Sequence, residues 1–227
     1  MSDKVFKRAF LDSLPVLSGY MVLGIGFGIM LEEAGYGVLW AFLMSGAIYA
    51  GSMQYVGVSL LTNMANIPGV ALTTLMVNAR HLFYGISMID KYKGAGKKKP
   101  YMIFALTDET YSLVCYNKYE DKKTMHKYAF IVSALNQCYW VTGSVIGSLL
   151  GAAIPFSTEG IEFSMTALFV TVVVEQWINA KNHLPAIIGF AASIICLVIL
   201  GSESFLIPSM ALICVGLSLM KGRCKNE

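Results

Sequence analysis

Apolar runs of near-membrane length, separated by short polar connections, fill this chain from end to end. Eight can be drawn: residues 15–31, 38–61, 67–89, 101–117, 128–154, 161–180, 184–201 and 205–220. A helix needs about 17–25 residues to cross a bilayer. The pattern therefore predicts an all-α, polytopic integral membrane helix bundle, with residues 1–227 forming one transmembrane domain. Pro15 and Pro100 stand where proline opens a helix. Pro208 lies inside the last and short run.

Two of the runs carry a polar knot. Asn78-Ala79-Arg80-His81 lies within 67–89, and Thr107-Asp108-Glu109-Thr110 interrupts 101–117. A charge at membrane depth costs roughly 2.5–3.5 kcal/mol on insertion scales, so such residues mark a polar pathway by default. Arg80 is nine residues from Ile89, the end of its run. Nine residues of helix is about 13 Å, too deep for easy snorkelling to the interface.

Loop charge sets the orientation. Lys4, Lys7 and Arg8 place the N-terminus in the cytoplasm, and Lys221, Arg223 and Lys225 place the C-terminus there. Eight full crossings would put Lys93, Lys97, Lys98 and Lys99 outside while leaving the basic stretch 118–127 inside. Both basic loops fit the cytoplasm if 101–117 enters and returns without crossing. Parity then requires a second such segment, and 38–61 is the candidate because Ala50-Gly51-Ser52 sits near its middle. The expectation is six spans plus two broken or re-entrant helices, the alternative being eight ordinary spans. Irregular backbone at membrane depth is tolerated where it is buried or lines a cavity, which is how transporters expose backbone groups to a substrate.

Composition sharpens this picture. Only 14% of residues are charged and 56% are hydrophobic, against about 25% charged in soluble domains. The net charge of +3 sits in short loops, so it reads as a topology signal rather than a nucleic-acid surface. The apolar run after Arg8 exceeds a signal-peptide core and lacks a small-residue cleavage site, so it is expected to stay as the first membrane helix. The five cysteines form no C-x-x-C pair, and neither a metal nor a cofactor is expected. A nucleotide-binding G-x-x-x-x-G-K-[ST] motif is absent, which argues against an ATPase on this chain.

The candidate pathway residues are Gln54, Asn78, Arg80, His81, Asp108 and Glu109. Two carboxylates cannot both stay charged and unpaired in a dry bundle, so one is expected to reach Arg80 and the other water. Gln54, Asn78, Asn136 and Gln137 either line a path or tie helices together. Glu175 and Gln176, beside Trp177, fit an interfacial anchor or a site. Gly24, Gly26, Gly28, Gly51 and Ser52 are the glycine and small residues expected at broken helices. Gly24 with Gly28, and Gly143 with Gly147 and Gly151, also form stripes that let backbones approach. That approach is either internal or towards a partner; the lack of an equally long second stripe hints at the partner. An enzyme is not expected, for want of a nucleophile motif or metal-ligand spacing. A passive channel and a scaffold subunit remain as alternatives to a transporter.

Several stretches make the chain similar to a known family. They are Phe6-Lys7-Arg8-Ala9-Phe10, Gly19-Tyr20, Gly24 to Gly28, and Tyr49-Ala50-Gly51-Ser52-Met53-Gln54. They continue with Val77-Asn78-Ala79-Arg80-His81-Leu82-Phe83-Tyr84-Gly85 and Leu106-Thr107-Asp108-Glu109-Thr110-Tyr111. The last are Met165-Thr166-Ala167-Leu168-Phe169 and Glu175-Gln176-Trp177. In these the chain resembles the AzlC-type branched-chain amino acid permeases. The resemblance implies export of leucine, isoleucine and valine, extending to methionine or analogues, across a bacterial inner membrane. It also implies a small AzlD-type membrane partner. Coupling to a gradient would fit an intramembrane histidine and carboxylates.

Overall fold

The computed structural model describes residues 2–115, 119, 121–153, 170, 173–174, 177–178, 182–201 and 205–221. Every regular element among them is helical. Of the run 161–180 only residues 170, 173–174, 177 and 178 are described, and Glu175 and Gln176 lie outside the described residues.

Helix α1 spans Ser2–Glu33 and α7 spans Lys122–Ala153. These two are long and apolar enough to cross a membrane on their own. Both start earlier than the apolar pattern predicts. Pro15 lies inside α1 and does not open it. A proline there forfeits the backbone hydrogen bond to the Leu11 carbonyl, a loss that membrane helices tolerate. The basic residues from Lys122 onward are likewise the first turns of α7, not a loop. Asp121 starts that helix by accepting from the Thr124 amide at 3.0 Å and from its hydroxyl at 2.6 Å. These bonds hold the exposed Asp121 carboxyl below its ordinary range.

α1 and α7 run parallel and close together. Their partners rise in step: Asp12 with Tyr128, Gly24 with Gly143, Gly28 with Gly147 and Ser148, and Glu32 with Gly151. A Cβ at Gly28 would stand 2.1 Å from the Ser144 carbonyl oxygen, and one at Gly147 2.1 Å from that of Ile25. The two glycine stripes therefore face each other, which corrects the hint of an outward-facing stripe awaiting a partner. It also corrects Gly24, Gly26 and Gly28 as broken-helix residues, because α1 runs unbroken through all three. Periodicity alone cannot say which two faces meet.

Two segments do break. α2 (Val38–Ala47) and α3 (Gly51–Thr62) are separated by residues 48–50. α5 (Lys99–Phe104), opened by Pro100 after a short 3-10 turn (Gly96–Lys98), is separated from α6 (Asp108–Cys115) by residues 105–107. Gly51 and Ser52, expected at the first break, begin α3, and Asp108 and Glu109 of the second polar knot begin α6. Between the two pairs runs α4 (Ile67–Met88), started by Asn66, whose side chain accepts from the Gly69 amide at 2.7 Å.

Both broken segments turn back. α2 begins just past α1 and descends to Gly46, whose carbonyl accepts from Gln137 at 3.0 Å. α3 then climbs from Trp140 at Gly51 to the level of Leu23, whose carbonyl accepts from the Tyr55 hydroxyl at 2.6 Å. α5 rises past Phe130, 5.3 Å from Tyr101, to place Phe104 beside Tyr49. α6 returns: Tyr111 stacks on Tyr84 at 4.7 Å, and Lys91 donates to the carbonyls of Val114 and Cys115. Met88, Tyr92 and Val114 share one apolar cluster with Val5, Ala9, Met125 and Tyr128. The last turn of α4 thus lies at the end where α1 and α7 begin, so α4 runs antiparallel to both. The order of a long helix followed by a helical hairpin occurs twice with opposite orientation, an arrangement that brings the two breaks tip to tip. α8 (Leu184–Leu200) packs on α9 (Leu206–Lys221), which touches α4.

Candidate functional site

Where the hairpin tips meet, α4 supplies a cation. Arg80 Nη1 stands 2.7 Å from Asp108 Oδ2 in the first turn of α6, and its Nη2 donates to Ser52 Oγ in the first turn of α3 at 2.6 Å. One guanidinium therefore joins both breaks. The geometry follows from local folding. Restarting a helix after a break puts its unbonded amides and the positive end of its dipole at the tip. For α6 that end favours the carboxylates of Asp108 and Glu109, both in its first turn. For α3 it adds to the positive field of Arg80 and favours an anion.

Glu109 turns to α1, where the Tyr20 hydroxyl donates to its Oε2 at 2.6 Å and lies 2.8 Å from Thr107 Oγ1. Thr107 in turn caps α6 through the Thr110 amide at 3.3 Å. Asn136, fully buried on α7, donates to Thr110 Oγ1 at 3.0 Å and so holds this turn in place. The ion pair itself is not sealed: the Arg80 and Asp108 side chains are 25% and 33% exposed. Asp108 Oδ1 is buried and has no hydrogen-bond partner among the described residues.

Two cavities adjoin at this point. A small one, about 50 Å³, is lined by Arg80, Asp108, Glu109, Ser52, Gly51 and Thr107, with Tyr20, Tyr55 and Trp140 among its walls. A larger one, about 400 Å³, is mostly apolar and runs along α4 past Leu82, Met88 and Ile89 to Ile103, Phe104 and Leu106. Tyr49, Ala50 and His81 line both. In the wall of the small cavity, Trp140 stacks on Phe27 at 6.2 Å, and Tyr20 meets it edge-on at 5.5 Å.

Of the residues proposed from the sequence, Arg80, His81, Asp108, Glu109, Gly51 and Ser52 converge on the small cavity, and Asn78 on the larger one. His81 takes no part in the ion pair; its Nδ1 lies 3.2 Å from the Asn78 carbonyl. Gln54 does not line either cavity. It is buried and staples the first break: its Oε1 accepts from the Ala50 amide at 3.2 Å and from Trp140 Nε1 at 2.9 Å, and its Nε2 donates to Ser45. Gln137 likewise ties the hairpins, bonding Gly46 and Tyr101. Tyr20, Tyr49, Tyr55 and Trp140 are wall residues that the sequence reading missed, because an aromatic in an apolar run reads as packing.

The fold and site define a helical membrane protein with a charged centre built at two broken helices. Residues 15–154 match the AzlC protein family, and the chain belongs to that family. It is 40% identical over 216 residues to the branched-chain amino acid transport protein AzlC of Bacillus subtilis (strain 168), covering 95% of this chain and 85% of the relative. An uncharacterized membrane protein of Helicobacter pylori (strain J99) is 39% identical over 220 residues, 96% of each chain. The inner membrane protein YgaZ of Escherichia coli (strain K12) is 26% identical over 199 residues, 83% of this chain and 81% of that one. No solved structure matches.

Proposed function

We propose that this chain exports amino acids with branched apolar side chains, chiefly leucine, isoleucine and valine with methionine as an extension, across a bacterial inner membrane. The observation that carries the reading is the Arg80–Asp108 pair at the tips of two opposed hairpins, beside an apolar cavity. An amino acid is a zwitterion with one apolar arm. Its carboxylate fits Arg80, whose planar fork holds a carboxylate through two parallel bonds, next to the first turn of α3. Its ammonium fits Asp108, whose Oδ1 has an unused acceptor. Its aliphatic arm fits the cavity lined by Leu82, Ile103 and Leu106. Binding then exchanges one internal ion pair for two to the substrate, so the charged groups are not stranded at any stage. The name of the Bacillus relative supports the substrate class.

The same reading places both termini in the cytoplasm, with six spans and the 38–61 and 101–117 segments as re-entrant hairpins. The turn-back of α2–α3 and α5–α6 supports it, as do the lysines at the end where α4 finishes. Export is coupled to the proton gradient, and a small AzlD-type membrane subunit completes the transporter. The family resemblance is the support for that partner; the glycine stripes, which face each other inside the chain, lend it none.

The test is efflux of labelled leucine, valine and methionine from cells making this chain with and without a small partner. The expected result is saturable export of these three that needs the partner and stops when the proton gradient is collapsed. Efflux equal to that of cells lacking the chain would overturn the transport reading. Export undiminished without a gradient would make the chain a passive channel.

A further inference from the structure

We infer that Tyr49 is a substrate-contacting residue that sits at the junction of the two cavities and reads the amino acid's carboxylate. The inference rests on the amino acid reading above and adds a residue to it. Three independent features single Tyr49 out. It is 4% exposed, yet its hydroxyl, which lies beside those of Tyr20 and Thr107, completes no hydrogen bond of normal geometry among the described residues. It lines both the charged cavity and the apolar one. Its backbone has φ 47°, in the left-handed region that a bulky L residue rarely adopts.

The first and third of these features have a cost that packing does not explain. A buried hydroxyl without a partner is rare in folded proteins, because the lost water is not replaced. Left-handed backbone persists where the surroundings hold it, commonly at ligand sites. Here the holding groups are visible. The Tyr49 amide bonds the Met44 carbonyl at 3.2 Å, and Phe104 from the other hairpin lies 6.3 Å away, ring to ring. The unusual backbone therefore aims a phenol from one break across the mouth of the other. Asp108, which lines the same small cavity, has a buried Oδ1 that likewise lacks a hydrogen-bond partner among the described residues. One unused donor and one unused acceptor suit a zwitterion: the phenol O–H donates to the carboxylate and Asp108 takes the ammonium. The Tyr49 ring, lying between head group and aliphatic arm, walls the charged cavity from the apolar one.

The experiment uses the full chain detergent-purified together with its small partner subunit, with leucine as the probe, and reads two quantities for wild type and Tyr49→Phe: leucine affinity and thermal stability without ligand. Removing a hydroxyl that completes no hydrogen bond of normal geometry in the empty protein leaves its unliganded stability the same or higher. Losing one bond to a charged carboxylate weakens leucine binding about tenfold. Unchanged affinity would overturn the inference. Weaker binding accompanied by lower unliganded stability would also overturn it, because the hydroxyl would then be a structural group. Absence of leucine binding by the wild type would instead overturn the amino acid reading itself, and this inference with it.

Discussion

Gly28 of α1 and Ser144 of α7 approach so closely that a Cβ on the glycine would lie 2.1 Å from the serine carbonyl oxygen. That contact is backbone on backbone, so no side chain can swing away to make room. Gly28→Ala must push the two long helices apart, at about 1–3 kcal/mol or more of overpacking. Gly19→Ala, on the same helix with nothing within 4 Å, is expected to be neutral or slightly stabilising. Thermal unfolding of the purified chain checks both. Equal stability of the two variants would mean that the α1–α7 seam is not closed as described.

The first break is predicted to depend on Gln54. With Gln54→Leu, the Trp140 indole N–H and the Ala50 amide lose their acceptor, each worth about 1–3 kcal/mol when left buried and unsatisfied. Trp140→Phe removes one of those donors along with its partner's need. The double variant should therefore be less destabilised than the sum of the singles, with a coupling of about 0.5–3 kcal/mol. Strict additivity would separate Gln54 from Trp140.

Topology gives a third prediction, made in a background with the native cysteines replaced. Single cysteines at Lys93 and Lys123, both exposed at the end where α4 finishes and α7 begins, should resist a membrane-impermeant thiol reagent added to intact cells. A cysteine at Asn63, exposed between α3 and α4, should react. Reaction at Lys93 with protection at Lys123 would restore eight full spans.

Much of this arrangement was legible in the sequence, for physical reasons that can be named. Arg80 and Asp108 stand out because charge deep in an apolar run is costly unless it is paired. The breaks near Ser52 and Asp108 follow from the conflict between two basic loops, a long-range constraint that loop charge does express. The tyrosines of the site were not legible. Tyr49 and Tyr20 differ from packing aromatics only in where their hydroxyls point, and that depends on the fold. The glycines of α1 read from the sequence both as a break and as a close approach, because small residues permit both. What distinguishes the two is the matching stripe on α7, a contact 116 to 119 residues away along the chain, as the pairs Glu32–Ser148, Gly24–Gly143 and Gly28–Gly147 show.

The ion pair is predicted to matter to the fold as well as to transport. Arg80→Ala leaves Asp108 without its cation. Because both side chains are partly exposed, the expected cost is about 1–3 kcal/mol, below that of a fully buried pair. Adding Asp108→Ala should recover part of the lost protein without restoring export. Membrane protein levels check this, and no recovery in the double variant would end the pairing's structural role.

The account turns on whether the Arg80 guanidinium binds the carboxylate of the transported amino acid, and Arg80→Lys asks this most directly. Lysine keeps the charge beside Asp108 but loses the planar fork. The measurement is labelled leucine efflux per unit of membrane-inserted protein in Arg80→Lys against wild type. The predicted result is near-normal protein with efflux reduced at least about tenfold, the scale of one charge-assisted hydrogen bond. Wild-type efflux from Arg80→Lys at equal protein level would contradict it.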